Sequence, residues 1–103
     1  MPIVVVATLK VKPEAVDTSR AILIDAIEEM HGEPGCQLYA LHESGSTFVI
    51  IEQWADSEAL RKHIAAPAAT KLQAAYGHLD GAPEVKILDP VAAGDPNKGQ
   101  LRR

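Results

Sequence analysis

Two segments of the chain are rich in β-branched residues and apolar on both faces: IVVVATLKV at 3–11 and TFVIIEQW at 47–54. Such residues favour strands, in which successive side chains point to opposite sides of a sheet. In the first segment Val5 and Val6 fall on opposite sides, and in the second Ile50 and Ile51 do the same. A strand that is apolar on both sides needs a cover on each, so these segments are predicted to lie at the centre of a sheet that is covered twice.

The remaining elements follow from the positions of turns and from helical spacing. Pro13 precedes apolar residues that recur every three or four positions up to Met30, which predicts an amphipathic helix ending near Gly32. EPG at 33–35 forms a turn, and CQLYALHE pairs with 47–54 through SGS at 44–46. Asp56 or Ser57 caps a helix that Pro67 interrupts, AATKLQAAYGHL forms a second helical piece, and EVKILDPV is the last strand.

This order, βαββαβ, is that of an α+β, ferredoxin-like fold with an antiparallel four-stranded sheet. Right-handed crossovers place the first and third strands at the centre and both helical layers on one face. A second copy of the sheet is the simplest cover for the other face, so we predict a homodimer. One domain spans 1–91, and the polar, Gly- and Pro-containing segment 92–103 is predicted to be a tail.

Composition and charge argue against several classes of partner. The formal net charge is −4, and lysine and arginine cluster nowhere except at Arg102 and Arg103, so no nucleic-acid surface is expected. The apolar N-terminal segment lacks a signal-peptide pattern, no run is long enough to span a membrane, and the single Cys36 forms no internal disulfide. A cytoplasmic protein is expected. No Gly-rich phosphate loop or paired metal ligands are found, so neither a metal nor another cofactor is predicted.

Three residues in one stretch carry the strongest chemical signal. Glu52 and Trp54 share a face of the third strand with Ile50, and His63 lies on the apolar face of the next helix, pointing toward the sheet. Each also has a structural interpretation: a buried histidine with a backbone partner, a carboxylate that ties strand to helix, and an aromatic core anchor. For Tyr39, His42, Tyr76 and His78 the structural interpretation is favoured.

The segments LYALHES, TFVIIEQWADSEALRKHIAAP and GAPEVKIL together resemble the antibiotic biosynthesis monooxygenase domain family, with a similarity that runs from about residue 2 to 91. The resemblance implies a dimeric α+β barrel. Among the family's activities, it favours a cofactor-independent monooxygenase or quinol oxidase that acts on a small, electron-rich aromatic substrate with O2. In that hypothesis His63 is the general base and Glu52 orients it, while the pocket is shaped by Trp54, Ile50, Val5 and Ile64.

The chain also departs from the family. Many members carry a second histidine directly after the helix proline, where this chain has Ala68. The residues that hold heme in the heme-degrading branch correspond here to Ala7, His63 and Leu72, so heme degradation is not expected. Two alternatives stay open: a non-catalytic dimer that binds a small ligand, and an isomerase or lyase on the same fold.

Overall fold

The computed structural model describes residues 1–102, which form one four-stranded antiparallel sheet with its helices on one face. The elements are β1 (Ile3–Lys10), α1 (Val16–Met30), β2 (Cys36–Ser44), β3 (Thr47–Trp54), α2 (Ser57–Ala65), α3 (Pro67–Tyr76) and β4 (Glu84–Leu88). The strand order β2-β3-β1-β4 confirms the predicted ferredoxin-like α+β fold with the first and third strands at the centre. Within residues 1–102, no helix is long and apolar enough to cross a membrane.

Several element boundaries differ from those expected, and α3 ends at Tyr76 rather than at residue 79. The residues Pro13–Ala15 form a turn of 3₁₀ helix before α1 begins at Val16. The last strand ends at Leu88 rather than continuing to residue 91. β4 is an edge strand that pairs only with β1, and Pro90 has no N–H to continue the ladder.

The break between α2 and α3 has a local cause. Asp56 begins α2 because its carboxylate accepts a hydrogen bond of 2.8 Å from the Ala59 N–H. Ala66 is extended, with ψ at 156°, and Pro67 opens α3. The residue before a proline avoids the helical region, and proline is well suited to the first helical position. The second helical layer is therefore two short helices, and both of them line the cavity described below.

The face of the sheet beneath the helices forms the core. Phe48, Ile50 and Trp54 of β3 pack there with Leu23 and Met30 of α1, and all five side chains are at most 1% exposed. The register between β1 and β3 sets Val5 opposite Glu52 and Ala7 opposite Ile50. A carboxylate therefore lies in the centre of an otherwise apolar sheet face.

The opposite face of the sheet is apolar as well, and no helix among residues 1–102 covers it. Val6 and Ile51 form a cross-strand pair on that face and are half-buried. At the β2 and β3 end, Gln53 is only 1% exposed because its amide donates hydrogen bonds to Gln37 Oε1 (2.7 Å) and to the backbone oxygen of Arg102 (3.1 Å). The predicted division into 1–91 and 92–103 stays a prediction, and Arg103 lies outside the described residues.

Candidate functional site

A cavity of about 270 Å³ lies between the sheet and helices α2 and α3. Its walls are mostly apolar, and its polar groups are Tyr39, Glu52, His63, Gln73 and Tyr76. Five of the six residues predicted to form the site line this cavity: Val5, Ile50, Glu52, His63 and Ile64. These five residues therefore lie around one cavity, although Ile64 is 65% exposed and stands at the rim.

The His63 ring is held on several sides. Nδ1 lies 2.7 Å from Glu33 Oε1, and one face of the ring stacks on Trp54 with centroids 4.4 Å apart and planes 29° apart. Nε2 lies 3.9 Å from Glu52 Oε1, which is too long for a hydrogen bond. One ring nitrogen therefore has a close carboxylate partner, whereas the other lies beside a carboxylate that does not bind it directly.

Trp54 is the sixth predicted residue, and it lies behind the site rather than in the cavity wall. Its side chain is fully buried, and its indole N–H donates a hydrogen bond of 2.9 Å to Glu52 Oε1. The ring also packs edge-on against Tyr39 at 6.3 Å. The predicted contact of Trp54 with a ligand stays a prediction, and what the geometry gives it is a supporting position behind His63 and Glu52.

Burial is the largest influence on the pKa of the Glu52 carboxyl group. Removal from water raises the pKa of its carboxyl, and the nearby Glu33 carboxylate acts in the same direction. The hydrogen bond from Trp54 and the proximity of His63 oppose this rise but do not cancel it. Glu52 therefore holds its proton to a higher pH in the folded protein than in the unfolded chain.

Replacing Glu52 with glutamine is expected to raise the free energy of unfolding at about pH 7.5 and to have less effect as the pH falls toward 4.5, the ordinary glutamate value. Above that value the unfolded chain releases the Glu52 proton more readily than the folded protein, so wild-type stability declines as pH rises through the folded pKa. Glutamine carries no such proton and still accepts from Trp54. Urea unfolding of both proteins across this range measures the difference.

Glu58→Gln is the matched control for that measurement. Glu58 is an exposed carboxylate on α2, 3.7 Å from Lys62, and it does not line the cavity. Its replacement is expected to change stability little and without the same pH dependence. If the Glu52→Gln difference were constant with pH, or grew on acidification, the account of Glu52 given above would be wrong.

Glu33 is the site residue that sequence reasoning missed, because EPG was interpreted only as a turn. The turn docks tightly: Gly35 O accepts from Ala55 N–H at 2.9 Å, and a Cβ on Gly35 would overlap the Cβ of Ala59. Gly35 also has a φ of +82°, which glycine adopts without strain. Ala59 precedes His63 by one helical turn, so the docked turn brings Glu33 to the imidazole. A glycine that permits close approach beside a carboxylate was the available signal.

Tyr39 also belongs to the site, although the structural interpretation was favoured for it. It is 4% exposed, lines the cavity, and its ring lies 5.7 Å from that of His63. Burial raises the pKa of its hydroxyl, so the group stays protonated and can donate a hydrogen bond. Tyr76 lies at the exposed rim, whereas His42 and His78 do not line the cavity.

Among residues 1–102, no three His, Cys, Asp or Glu side chains are grouped so that they would hold a metal ion. The polar end of the cavity instead offers acid–base groups: an imidazole, a carboxyl group with a raised pKa, and a phenol. Such groups bind and move protons.

The amino-acid sequence of this chain is similar to a known protein family. Residues 2–75 match the family model described as "Antibiotic biosynthesis monooxygenase". The chain is 32% identical over 93 residues to the Mycobacterium tuberculosis protein named "Putative monooxygenase Rv0793", covering 87% of this chain and 92% of that protein. The matched family region includes β1 through α3 and therefore most of the cavity wall.

Solved structures share the fold over most of their length. The structure of Rv0793 superposes with a TM-score of 0.85 at 28% identity, covering 92% of this chain and 100% of that one. A Caulobacter crescentus protein, described as a putative antibiotic biosynthesis monooxygenase, gives a TM-score of 0.81 at 32% identity, with 88% and 91% covered. A conserved protein from Methanosarcina mazei gives 0.82 at 28% identity, with 85% and 91% covered. The likeness thus extends over most of this chain in each case.

Proposed function

The chain belongs to the antibiotic biosynthesis monooxygenase family, and on that premise we propose that it is a cofactor-independent monooxygenase or quinol oxidase. Its substrate is a small, electron-rich hydroxyarene, and its second substrate is O2. The observation that carries the proposal is His63, whose Nε2 stands at the polar end of an apolar cavity, beside but not bonded to Glu52. A substrate hydroxyl placed there meets a base while its ring lies against apolar walls.

The first step of the proposed reaction is proton transfer from the substrate hydroxyl to His63 Nε2. Glu33 at Nδ1 then faces the imidazolium that forms, and Tyr39 donates a hydrogen bond toward the aryl oxide. An aryl oxide is a far better electron donor than the neutral phenol, and the apolar walls keep water from quenching its reaction. Catalysis in this scheme is binding, deprotonation and stabilisation of an anion.

Electrons then pass from the aryl oxide to O2, and the products account for all atoms and electrons of the two substrates. One electron gives an aryloxyl radical and superoxide. For a quinol, transfer of the second electron and both hydroxyl protons yields the quinone and H2O2. For a phenol with a free ring position, the two radicals combine to a peroxide anion, which takes back the proton held by His63. The hydroperoxide that forms loses water to give the quinone. The oxidant in both cases is O2, which is the named second substrate.

The shape of the cavity supports a small substrate. Val5 and Ile50 form its floor on the sheet, and the exposed rim includes Ile64, Val85 and Ile87. No lysine or arginine lines the cavity within the described residues, so a carboxylate or phosphate on the substrate would have no cationic partner there. A neutral aromatic compound is favoured over an anionic one.

Oxygen uptake by the purified protein, measured over a panel of quinols and hydroxynaphthalenes with spontaneous autoxidation subtracted, tests the proposal. Saturable uptake with quinone formation supports it. Ligand binding without turnover, followed through the fluorescence of the single Trp54, would favour the ligand-binding alternative. Conversion of a compound without oxygen consumption would favour an isomerase or lyase.

The same proposal includes a homodimer built on the uncovered sheet face. Val6, Val49 and Ile51 lie on that face, away from the helices, and are half-buried without any helix over them. Contiguous β-branched residues of this kind are rarely left in water, and a face-to-face copy of the same sheet buries them symmetrically.

Replacing Ile51 with aspartate is expected to convert the dimer to a monomer, because the proposed interface between the sheets would bury an unpaired carboxylate from each subunit. Sedimentation equilibrium over a range of protein concentrations measures the change. Ile24→Asp provides the control, since Ile24 is a 46% exposed residue of α1 and lies on the other side of the molecule. A wild-type protein that stays monomeric at high concentration would contradict this part of the proposal.

A further inference from the structure

The position of the Glu33 side chain is more closely fixed than a turn alone requires. Its side chain is 13% exposed, and its Oε1 lies 2.7 Å from Nδ1 of His63, thirty residues further along the chain. The backbone beside it is fixed, since Glu33 N–H donates to Met30 O at 3.0 Å and Cys36 N–H donates to Glu33 O at 3.2 Å. The carboxylate is therefore carried on a rigid turn.

The surroundings of the second carboxylate oxygen also indicate that Glu33 does more than form a turn. Glu33 Oε2 is buried and has no hydrogen-bond partner among the described residues. A buried carboxylate oxygen without a partner is unfavourable for folding, and such groups in native proteins call for an explanation. A turn that served only to reverse the chain would be more stable with an apolar or solvent-facing residue at this position.

The contact decides which nitrogen of His63 carries the proton. A neutral imidazole has one N–H and one lone pair, and the hydrogen bond made by one nitrogen sets the state of the other. With Glu33 Oε1 as acceptor, the proton lies on Nδ1 and the lone pair on Nε2. Trp54 stacks on the ring and keeps its plane, so the lone pair stays directed to the side of Glu52 and the cavity.

We propose that Glu33 is a positioning residue that holds His63 as the Nδ1–H tautomer and so presents Nε2 to the cavity as a proton acceptor. The inference rests on the proposed function for its catalytic meaning, but the tautomer itself is a property of the protein without substrate. Without Glu33, the ring would be free to adopt the Nε2–H form, which offers a donor where the substrate hydroxyl needs an acceptor. Among the titratable groups of the site, Glu52 and Tyr39 also face this ring.

The tautomer is measured by long-range ¹H–¹⁵N correlation on protein with ¹⁵N-labelled histidine. The chain has four histidines, and His63→Ala identifies the resonances of interest. Wild type is expected to show a protonated Nδ1 and an unprotonated Nε2 for His63. Glu33→Ala is expected to shift His63 toward the Nε2–H form, whereas Glu58→Ala, the exposed carboxylate of α2, leaves it unchanged.

Steady-state kinetics provide a second test of the inference about Glu33. Glu33→Ala is expected to lower kcat for hydroxyarene oxidation by at least about 10-fold with little change in KM, and Glu33→Asp to recover part of the loss. Glu33→Leu keeps most of the side-chain volume without an acceptor and serves if the alanine variant does not fold. An unchanged Nδ1–H tautomer in folded Glu33→Ala or Glu33→Leu protein would overturn the inference. A shifted tautomer in a protein with no detectable turnover would support it while counting against the proposed function.

Discussion

Replacing His63 with alanine is expected to lower kcat/KM for hydroxyarene oxidation by about 100- to 10,000-fold, which is the usual contribution of a positioned general base. His63 is the only imidazole that lines the cavity within the described residues. Without it, the substrate must release its proton to water inside an apolar pocket, where the aryl oxide is poorly stabilised. Steady-state oxygen uptake and quinone formation measure the loss.

The pH dependence of turnover distinguishes the loss of a general base from a change in the shape of the cavity. Once the pH exceeds the substrate hydroxyl's own pKa, the substrate arrives already ionised, so the gap between wild type and His63→Ala is expected to narrow. Added imidazole, which can enter the space left by the side chain, is expected to restore part of the rate. His78→Ala is the control, because His78 does not line the cavity. Equal turnover by wild type and His63→Ala would show that His63 is not the base.

The central strands were predictable because their evidence is local. Their β-branched residues are apolar on both faces, so β1 and β3 had to be central strands, and the observed order places them there. The inward direction of His63 followed in the same way from its spacing to Leu60 on α2. Ile64, the next residue round the helix, shows the limit of such periodicity, because it lines the cavity yet is 65% exposed at the rim.

The partner of His63 was not predictable by the same means. Glu52 was expected to orient His63, and the two do approach each other, at 3.9 Å. The close contact is with Glu33, and it depends on how the turn before β2 docks on Ala55 and α2. Docking of a turn is a tertiary event that no period in the sequence encodes. The depth of Trp54 is a similar case, since its face was predicted but not its full burial behind the imidazole.

The two carboxyl groups beside His63 have different contacts and therefore different roles. Glu33 contacts Nδ1 at 2.7 Å, whereas Glu52 is tied to Trp54 and stands across a gap from Nε2. Burial raises the pKa of Glu52, so its carboxyl group takes up a proton more readily than an exposed glutamate does. An imidazole with a fixed tautomer and a carboxyl group with a raised pKa therefore face one cavity, and both are groups that bind and release protons.

Trp54 supports both of these groups, and its replacement by alanine is expected to lower the free energy of unfolding by about 3–5 kcal/mol. The indole is fully buried, stacks on His63, packs against Tyr39 and donates to Glu52. Small domains are stable by only about 5–15 kcal/mol, so Trp54→Ala is expected to be close to unfolding. Urea unfolding followed by circular dichroism measures this, since the protein would no longer contain tryptophan.

Trp54→Phe tests the contribution of the indole hydrogen bond to Glu52 separately from that of aromatic packing. Phenylalanine keeps an aromatic ring beside His63 but removes the N–H, which leaves Glu52 Oε1 without its donor. Since that hydrogen bond lowers the pKa of Glu52, its loss raises the pKa further. The destabilisation by Trp54→Phe is therefore expected to be larger at about pH 7.5, where Glu52 is driven to ionise without a donor, than near pH 4.5, where it is protonated.

A double-mutant cycle with Glu52→Gln completes the test. In the glutamine background position 52 does not titrate, so the pH-dependent part of the Trp54→Phe effect is expected to vanish. Only a constant loss, from packing and from the hydrogen bond to the glutamine, is expected to remain. Tyr39→Phe is the matched control, because it removes a polar atom from the same aromatic cluster without touching the hydrogen bond to Glu52. A Trp54→Phe effect that is equal at both pH values would mean that the indole acts through packing alone and that the protonation of Glu52 is set without it.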